Sequence, residues 1–225
     1  MTRLADAAWP DVPRAATVLV PLGSLEQHGP HLPLDTDTVI AAAACRRAAE
    51  LLDDPDVLVA PALAFGASGE HQSFAGTSSI GTDALRTVLV ELARSMRTWA
   101  GRVVFVNGHG GNLDALRAAV TQLRDEGHDV RWLPCASDPD ADLHAGHVET
   151  SLLLHLCPQR VRLERAVVGD RRPLAAILPT LVAHGVGAVS ANGVLGDPTA
   201  ASAAEGGRLL EAIAQTVAER VRTAA

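Results

Sequence analysis

The chain has 225 residues, 48% of them apolar and 20% charged, a balance expected of one globular domain that buries roughly 70% of its unfolded surface. A formal charge of −7 excludes the clustered Lys and Arg of a nucleic-acid footprint and adhesion to an anionic membrane, so neither partner is expected. No apolar run approaches the ~18 residues of a membrane span, and "MTRLADAAWPDVPRA" lacks the apolar core of a signal peptide. A cytoplasmic location is therefore expected. It agrees with Cys45, Cys135 and Cys157, which are odd in number, far apart and free of any CxxC pair.

In chain order, "TVLVPLG" (17–23) is a β-branched run ending in glycine, the pattern of a buried strand. The Ala-, Leu- and Arg-rich stretch 38–52 reads as a helix. "DVLVAPALAFG" (56–66) begins as a second strand, and 83–100 repeats Leu85, Val88, Leu89, Leu92, Met96 and Trp99 at helical steps. "RVVFVNGHGGN" (102–112) is a third strand running into a glycine-rich loop, followed by a helix striped by Leu113, Leu116, Val120 and Leu123. "DVRWLPCA" (129–136) reads as a fourth strand and "VETSLLLHL" (148–156) as a helix. The last helix, about 200–223, carries Leu209, Leu210, Ile213, Val217 and Val221. This alternation predicts a single-domain layered αβα fold around a mainly parallel sheet, spanning 1–225 with no linker or repeat. In such folds the reactive crevice lies beyond the carboxyl ends of the strands, and the polar clusters at 26–37, 66–77 and 107–112 all follow strands.

The segment "EQHGPHLPLDTDT" (26–38) packs Glu26, His28, His31, Asp35 and Asp37 around one glycine and two prolines. Glu26 and His28 are two apart, so an extended backbone would point both to one face. His109 sits in "NGHGG", where the glycines admit a close approach of backbone to ligand, and Glu149 opens a helix in "HAGHVETS". Two carboxylate–imidazole pairs and an intervening aspartate suit a site for two borderline metal ions. A lone loop histidine is more often solvated, and "GHGGN" alone would equally fit a phosphate-binding loop, although it lacks the P-loop lysine and the dinucleotide spacing.

"GSLEQHGPHLPLDTD", "NGHGGN" and "HAGHVETS", in this order, resemble the creatininase family of metal-dependent amidohydrolases. "GASGEHQSFAGTSSIGT" and "GVLGDPTAASAAEG" look like further family segments, so the likeness spans roughly residues 16–210. Within the family it is closest to the mycofactocin-system branch, which trims a modified, ribosomally made precursor peptide. The resemblance implies that Glu26 and His109 bind one metal and His28 the other, with Asp37 bridging. Creatininases proper have a Tyr-Glu pair after the loop histidine, where this chain has Gly110 and Gly111; the missing ligand is thereby assigned to Glu149. His144 matches the family's catalytic histidine. Glu70, His71, Gly110 and Gly111 are candidates for the substrate pocket, and His31 and Asp35 for residues that orient ligands.

The resemblance further implies two divalent ions per subunit (zinc, iron or manganese), a homo-oligomer, and a modified precursor peptide as substrate. The expected reaction is release of a C-terminal Val-Tyr dipeptide by a metal-bridging hydroxide. A small-molecule amidohydrolase, opening a cyclic amide or deformylating a formamide, is the alternative, and a metal-free scaffold the third reading.

Overall fold

The computed structural model describes residues 2–136 and 142–223. Five parallel strands, β1 (Thr2–Arg3), β2 (Thr17–Leu22), β3 (Val57–Val59), β4 (Arg102–Asn107) and β5 (Val130–Pro134), lie in the order β1-β3-β2-β4-β5. Between and after them come α1 (Thr36–Leu52), α2 (Thr82–Met96), α3 (Leu113–Asp125), α4 (His147–Leu156), α5 (Leu174–His184) and α6 (Ala203–Thr223). The expected αβα layering is present, and its cause is that the central strands are apolar on both faces, with alternate residues covered by different helices. Val18, Val20 and Leu22 of β2, with Val103 and Phe105 of β4, face Leu85, Leu89, Leu116 and Leu123 of α2 and α3. The alternate residues Leu19, Val104 and Val106 face Cys45 and Ala48 of α1 and Ala214, Val217 and Val221 of α6. Each buried Leu or Val of this kind contributes about 1.5–3 kcal/mol relative to exposure, which is why both faces must be covered. Among the described residues no helix is long and apolar enough to cross a membrane.

Pro21 stands inside this central strand, where a missing N–H would normally break a ladder. β2 pairs with β3 only as far as Leu19, whereas it stays paired with β4 to Leu22. Pro21 O accepts from Leu63 N (2.9 Å) on the β3 side, so its missing donor points where β3 has already left the sheet. The same departure shortens the second predicted strand: of 56–66 only Val57–Val59 is strand, and the rest, with Pro61, is loop.

Other boundaries move by a turn or less. The second predicted helix ends at Met96 instead of 100, because Trp99 O turns to accept Ala15 N–H at the entrance to β2 (2.9 Å). The last begins at Ala203 instead of about 200. Two elements had no counterpart in the sequence reading. β1 is two residues long, too short for a periodic pattern. α5 carries Pro179 in its interior and buries only Ile177, while Leu174, Leu178 and Val182 form an exposed stripe. A proline in mid-helix costs the i→i−4 hydrogen bond, so local propensity argued against a helix there.

Candidate metal centre

The reactive loops leave β2 and β4, neighbours at the middle of the sheet, and meet because two glycines let them. A Cβ on Gly23 would lie 2.5 Å from backbone atoms of Thr38, and one on Gly108 would lie 2.8 Å from Asp37 O. Both strand ends therefore press against the first turn of α1, which presents Asp37 between them. His28 Nε2 lies 2.9 Å from Asp37 Oδ1 and 3.9 Å from Glu149 Oε2. Asp37 Oδ2 accepts from Ser24 Oγ (2.6 Å) and lies 3.4 Å from His109 Nδ1, whose other nitrogen is 3.1 Å from Glu26 Oε2. Glu26, His109, Asp37, His28 and Glu149 thus form one unbroken run of contacts, assembled from two strand-end loops and the first turns of α1 and α4.

Among the described residues, three groups of donors each gather tightly enough to hold a cation, with all atoms within 4.8 Å of one another: Glu26–His28–Asp37, His28–His144–Glu149 and Glu26–His71–His144. His109 joins none of these, because it faces Glu26 with one ring nitrogen and Asp37 with the other. His71, which the sequence suggested for the substrate pocket, instead lies deep in the cluster, with Nε2 3.3 Å from Glu26 Oε1. Its ring centroid is 4.5 Å from that of His144, which is in turn 4.3 Å from that of His28.

Burial and charge set the protonation of this cluster. Burial disfavours a charge on His28, but Asp37, by charge and hydrogen bond, with Glu149 and Glu26, outweighs it and raises its pKa to about 10. Asp37 is held ionised by His28 despite its own burial. His109 is buried too, yet Glu26, Glu70 and Asp37 raise it well above the ordinary value. His144 goes the other way: burial, then His28 and His71, push it well below 6.5. Burial, helped by the charge of Asp37, raises Glu149 to about 7 even though His28 opposes it.

Glu26 provides the test for a metal. Both of its carboxylate oxygens are buried and, among the described residues, meet no well-aligned donor, although His109 Nε2 (3.1 Å) and His71 Nε2 (3.3 Å) face them. A buried carboxylate faced by imidazoles is costly by several kcal/mol unless a cation meets it, either a protonated ring such as His109 or a metal ion. The surrounding mix of imidazole and carboxylate donors fits zinc, manganese or iron.

Around the cluster lies a shell that spacing did not reveal. Asn112 donates to Gly23 O (3.0 Å) and Asn107 Oδ1 (3.1 Å) and accepts from Ala67 N (2.9 Å), tying the β2, β4 and 66–77 loops together. Its signal was present in the second Asn of "NGHGGN". Ala145, next to His144, is buried with φ 52°, a left-handed conformation unusual for alanine, and its N–H donates to Glu149 Oε2 (2.6 Å). Gln27, between two candidate ligands, is also buried and reaches both His71 and His144. An alternating backbone would have turned Gln27 away from the site. Residues 23–27 belong to no strand, however, the chain turns at Gly29 (φ 64°), and His28 Nδ1 hydrogen-bonds with Glu26 O (3.1 Å).

Of the residues expected to orient ligands, His31 is buried with Nε2 2.8 Å from Thr150 Oγ1, beside Glu149. Asp35 is not in that role: it pairs with Arg160 (2.5 Å) in a part-exposed position at the start of α1. The two loop glycines also differ. Among the described residues, a Cβ on Gly110 would meet nothing within 4 Å, whereas one on Gly111 would meet Ala67 O at 2.4 Å, Glu70 Oε1 at 2.4 Å and His109 Nε2 at 2.5 Å. Space is open at the first glycine; at the second it is filled by Glu70, whose carboxylate lies 3.3 Å from His109 Nε2.

A parallel α/β sandwich whose two central strands end on a buried histidine–carboxylate cluster defines a protein with a candidate metal centre at the carboxyl edge of its sheet. The profile of the creatininase family, described as creatinine amidohydrolase, matches residues 5–221, and the chain belongs to that family. It is a hydrolase of carbon–nitrogen bonds. A relative from Mycolicibacterium smegmatis named mycofactocin precursor peptide peptidase is 56% identical over 208 residues, 91% of this chain and 84% of the relative. One of the same name from Mycobacterium ulcerans is 53% identical over 221 residues, 96% of this chain and 86% of the relative. Creatinine amidohydrolase of Pseudomonas putida is 30% identical over 236 residues, covering 91% and 88%. Among solved structures, a manganese creatininase superposes with a TM-score of 0.80 at 27% identity, covering 99% of this chain and 98% of the other.

Proposed function

We propose that this chain is a metal-dependent peptidase that removes the C-terminal Val-Tyr dipeptide from the modified mycofactocin precursor peptide. The observation that carries this reading is the gap between its likeness to named precursor peptide peptidases, 56% identical, and to a creatinine amidohydrolase, 30% identical. The site agrees with it. Beside the loop histidine, Gly110 leaves open space, and Glu149 and Glu70 keep 21% and 25% of their side chains exposed, so an extended chain end can reach the cluster.

Two divalent ions would be held by Glu26, His28, Asp37, His109 and Glu149, with Asp37 shared, and would supply Lewis acidity for the amide carbonyl and activate water. The protein's own residues do the rest. Asp37 is aimed by Ser24 and braced by the first turn of α1, so the shared carboxylate is fixed before substrate arrives. His144 is neutral near pH 7, because burial and two neighbouring imidazoles lower its pKa, and its Nδ1 faces Glu26 Oε1 at 3.8 Å. It can therefore accept a proton from attacking water. The same low pKa makes its imidazolium a strong acid, suited to protonating the amine as the C–N bond breaks.

A competition assay tests the substrate: precursor peptide and creatinine at equal concentration, each product followed by mass. Release of the dipeptide with creatinine untouched is the expected result. Turnover of creatinine with the peptide intact would overturn the assignment in favour of a small-molecule amidohydrolase.

A further inference from the structure

We propose that Gln27 is a positioning residue that assigns opposite hydrogen-bonding roles to His71 and His144, one as donor and the other as acceptor toward the cluster. This rests on the reading of His144 as the proton carrier, and follows from counting donors around one buried amide. Two backbone groups fix which way that amide points. Gly29 N–H, which can only donate, lies 2.8 Å from Gln27 Oε1, and Gly193 C=O, which can only accept, lies 3.0 Å from Nε2. The orientation is therefore set without reference to either histidine.

The amide nitrogen has two hydrogens. One goes to Gly193 O. The other has two claimants, His71 Nδ1 at 2.9 Å and His144 Nε2 at 3.0 Å. His144 Nε2 also lies 2.8 Å from the backbone oxygen of Gln27, which only accepts, so this nitrogen carries a proton and donates it there. A protonated Nε2 cannot also accept from the amide. The second hydrogen therefore belongs to His71 Nδ1, which must be bare.

The consequences at the far side of each neutral ring are opposite in effect. With Nδ1 bare, His71 carries its proton on Nε2, the atom 3.3 Å from Glu26 Oε1, and presents an N–H to the cluster. With Nε2 protonated, His144 has a bare Nδ1, the atom 3.8 Å from the same oxygen, and presents a lone pair. Residue 27 holds His144 through its backbone and His71 through its side chain. A change of side chain should therefore switch one ring and leave the other.

Nitrogen-15 NMR of the histidine rings reads this directly, in the full-length protein loaded with diamagnetic zinc and, as a control, free of metal. The wild type is expected to show Nδ1 unprotonated and Nε2–H in both His71 and His144. Gln27→Glu offers His71 an acceptor in place of a donor, and should move its proton from Nε2 to Nδ1 while His144 keeps Nε2–H. In that variant kcat should fall about 10–100-fold, as is common when an outer-shell partner of a metal site is changed, with KM little affected. Gln27→Met, which has no amide, should release His71 into a mixture of both forms and serves if the carboxylate variant does not fold. Protonated Nδ1 on His71 or on His144 in the wild type would overturn the proposal, as would an unchanged His71 in both variants. Because the NMR pattern needs no substrate, failure to cleave peptide would count against the functional reading and not against this one.

Discussion

Removal of Asp37 should separate the two jobs its carboxylate performs. In chelator-treated protein it is the main reason that His28, fully buried, stays protonated, with a pKa of about 10 against 6.5 when unfolded. The raised pKa means that the stabilisation is fully present below about 6.5 and lost as pH rises through about 10. At pH 7 most of it remains, and linkage converts the difference into about 4 kcal/mol. That agrees with the roughly 3–5 kcal/mol found when one partner of a buried ion pair is deleted. For a domain of this size it corresponds to a fall in Tm of roughly 8–16 °C. Asp37→Ala should therefore melt that much lower at pH 7 in chelator, and its Tm should change less than the wild type's between pH 7 and 10. A residual slope is expected from Glu149, whose raised pKa of about 7 acts in the same direction. With metal supplied, elemental analysis of Asp37→Ala should find both ions lost, whereas His28→Ala should lose mainly one. An unchanged Tm in chelator would refute the ion-pair reasoning, and full metal content would refute the shared carboxylate.

His144→Ala should retain its metal content and lose about 10²–10⁴-fold in kcat; loss of metal instead would make His144 a ligand or its support. Gly111→Ala should lower kcat/KM by about 10²-fold, since the added methyl would lie 2.5 Å or less from Ala67 O, Glu70 and His109 and must displace the loop; wild-type kinetics would show that the loop relaxes freely. Gly110→Ala, facing open space, should fold and melt like the wild type, measured by calorimetry. Asn112→Ala leaves Ala67 N–H and Gly23 C=O without their buried partner and should cost about 2–4 kcal/mol in chemical denaturation; a change under about 0.5 kcal/mol would mean that water replaces the side chain.

The sequence by itself determined the layers and singled out most of the histidines and carboxylates that cluster, although it pointed His71 to the substrate pocket. The unbroken apolar runs "TVLVPL" and "RVVFVN", buried on both faces after their first residue, and helical stripes such as Leu116, Val120 and Leu123 are local signals, so the sheet core and its flanking helices were legible residue by residue. The strand-to-loop order also placed Glu26, His28, Asp37 and His109 at one edge of that sheet. Tertiary structure alone decided what faces what. β1 exists only because β3 offers an edge to pair with, and α5 only because Ile177 and the turns beside it give a proline-bearing helix something to pack on. Gln27 and His144 are 117 positions apart, and Glu70 fills space beside Gly111 from another loop. Such contacts depend on how closely Gly23 and Gly108 let backbones cross the first turn of α1. Local periodicity reports which side of its own element a residue takes, whereas its partner across a loop is fixed only when the whole chain is packed.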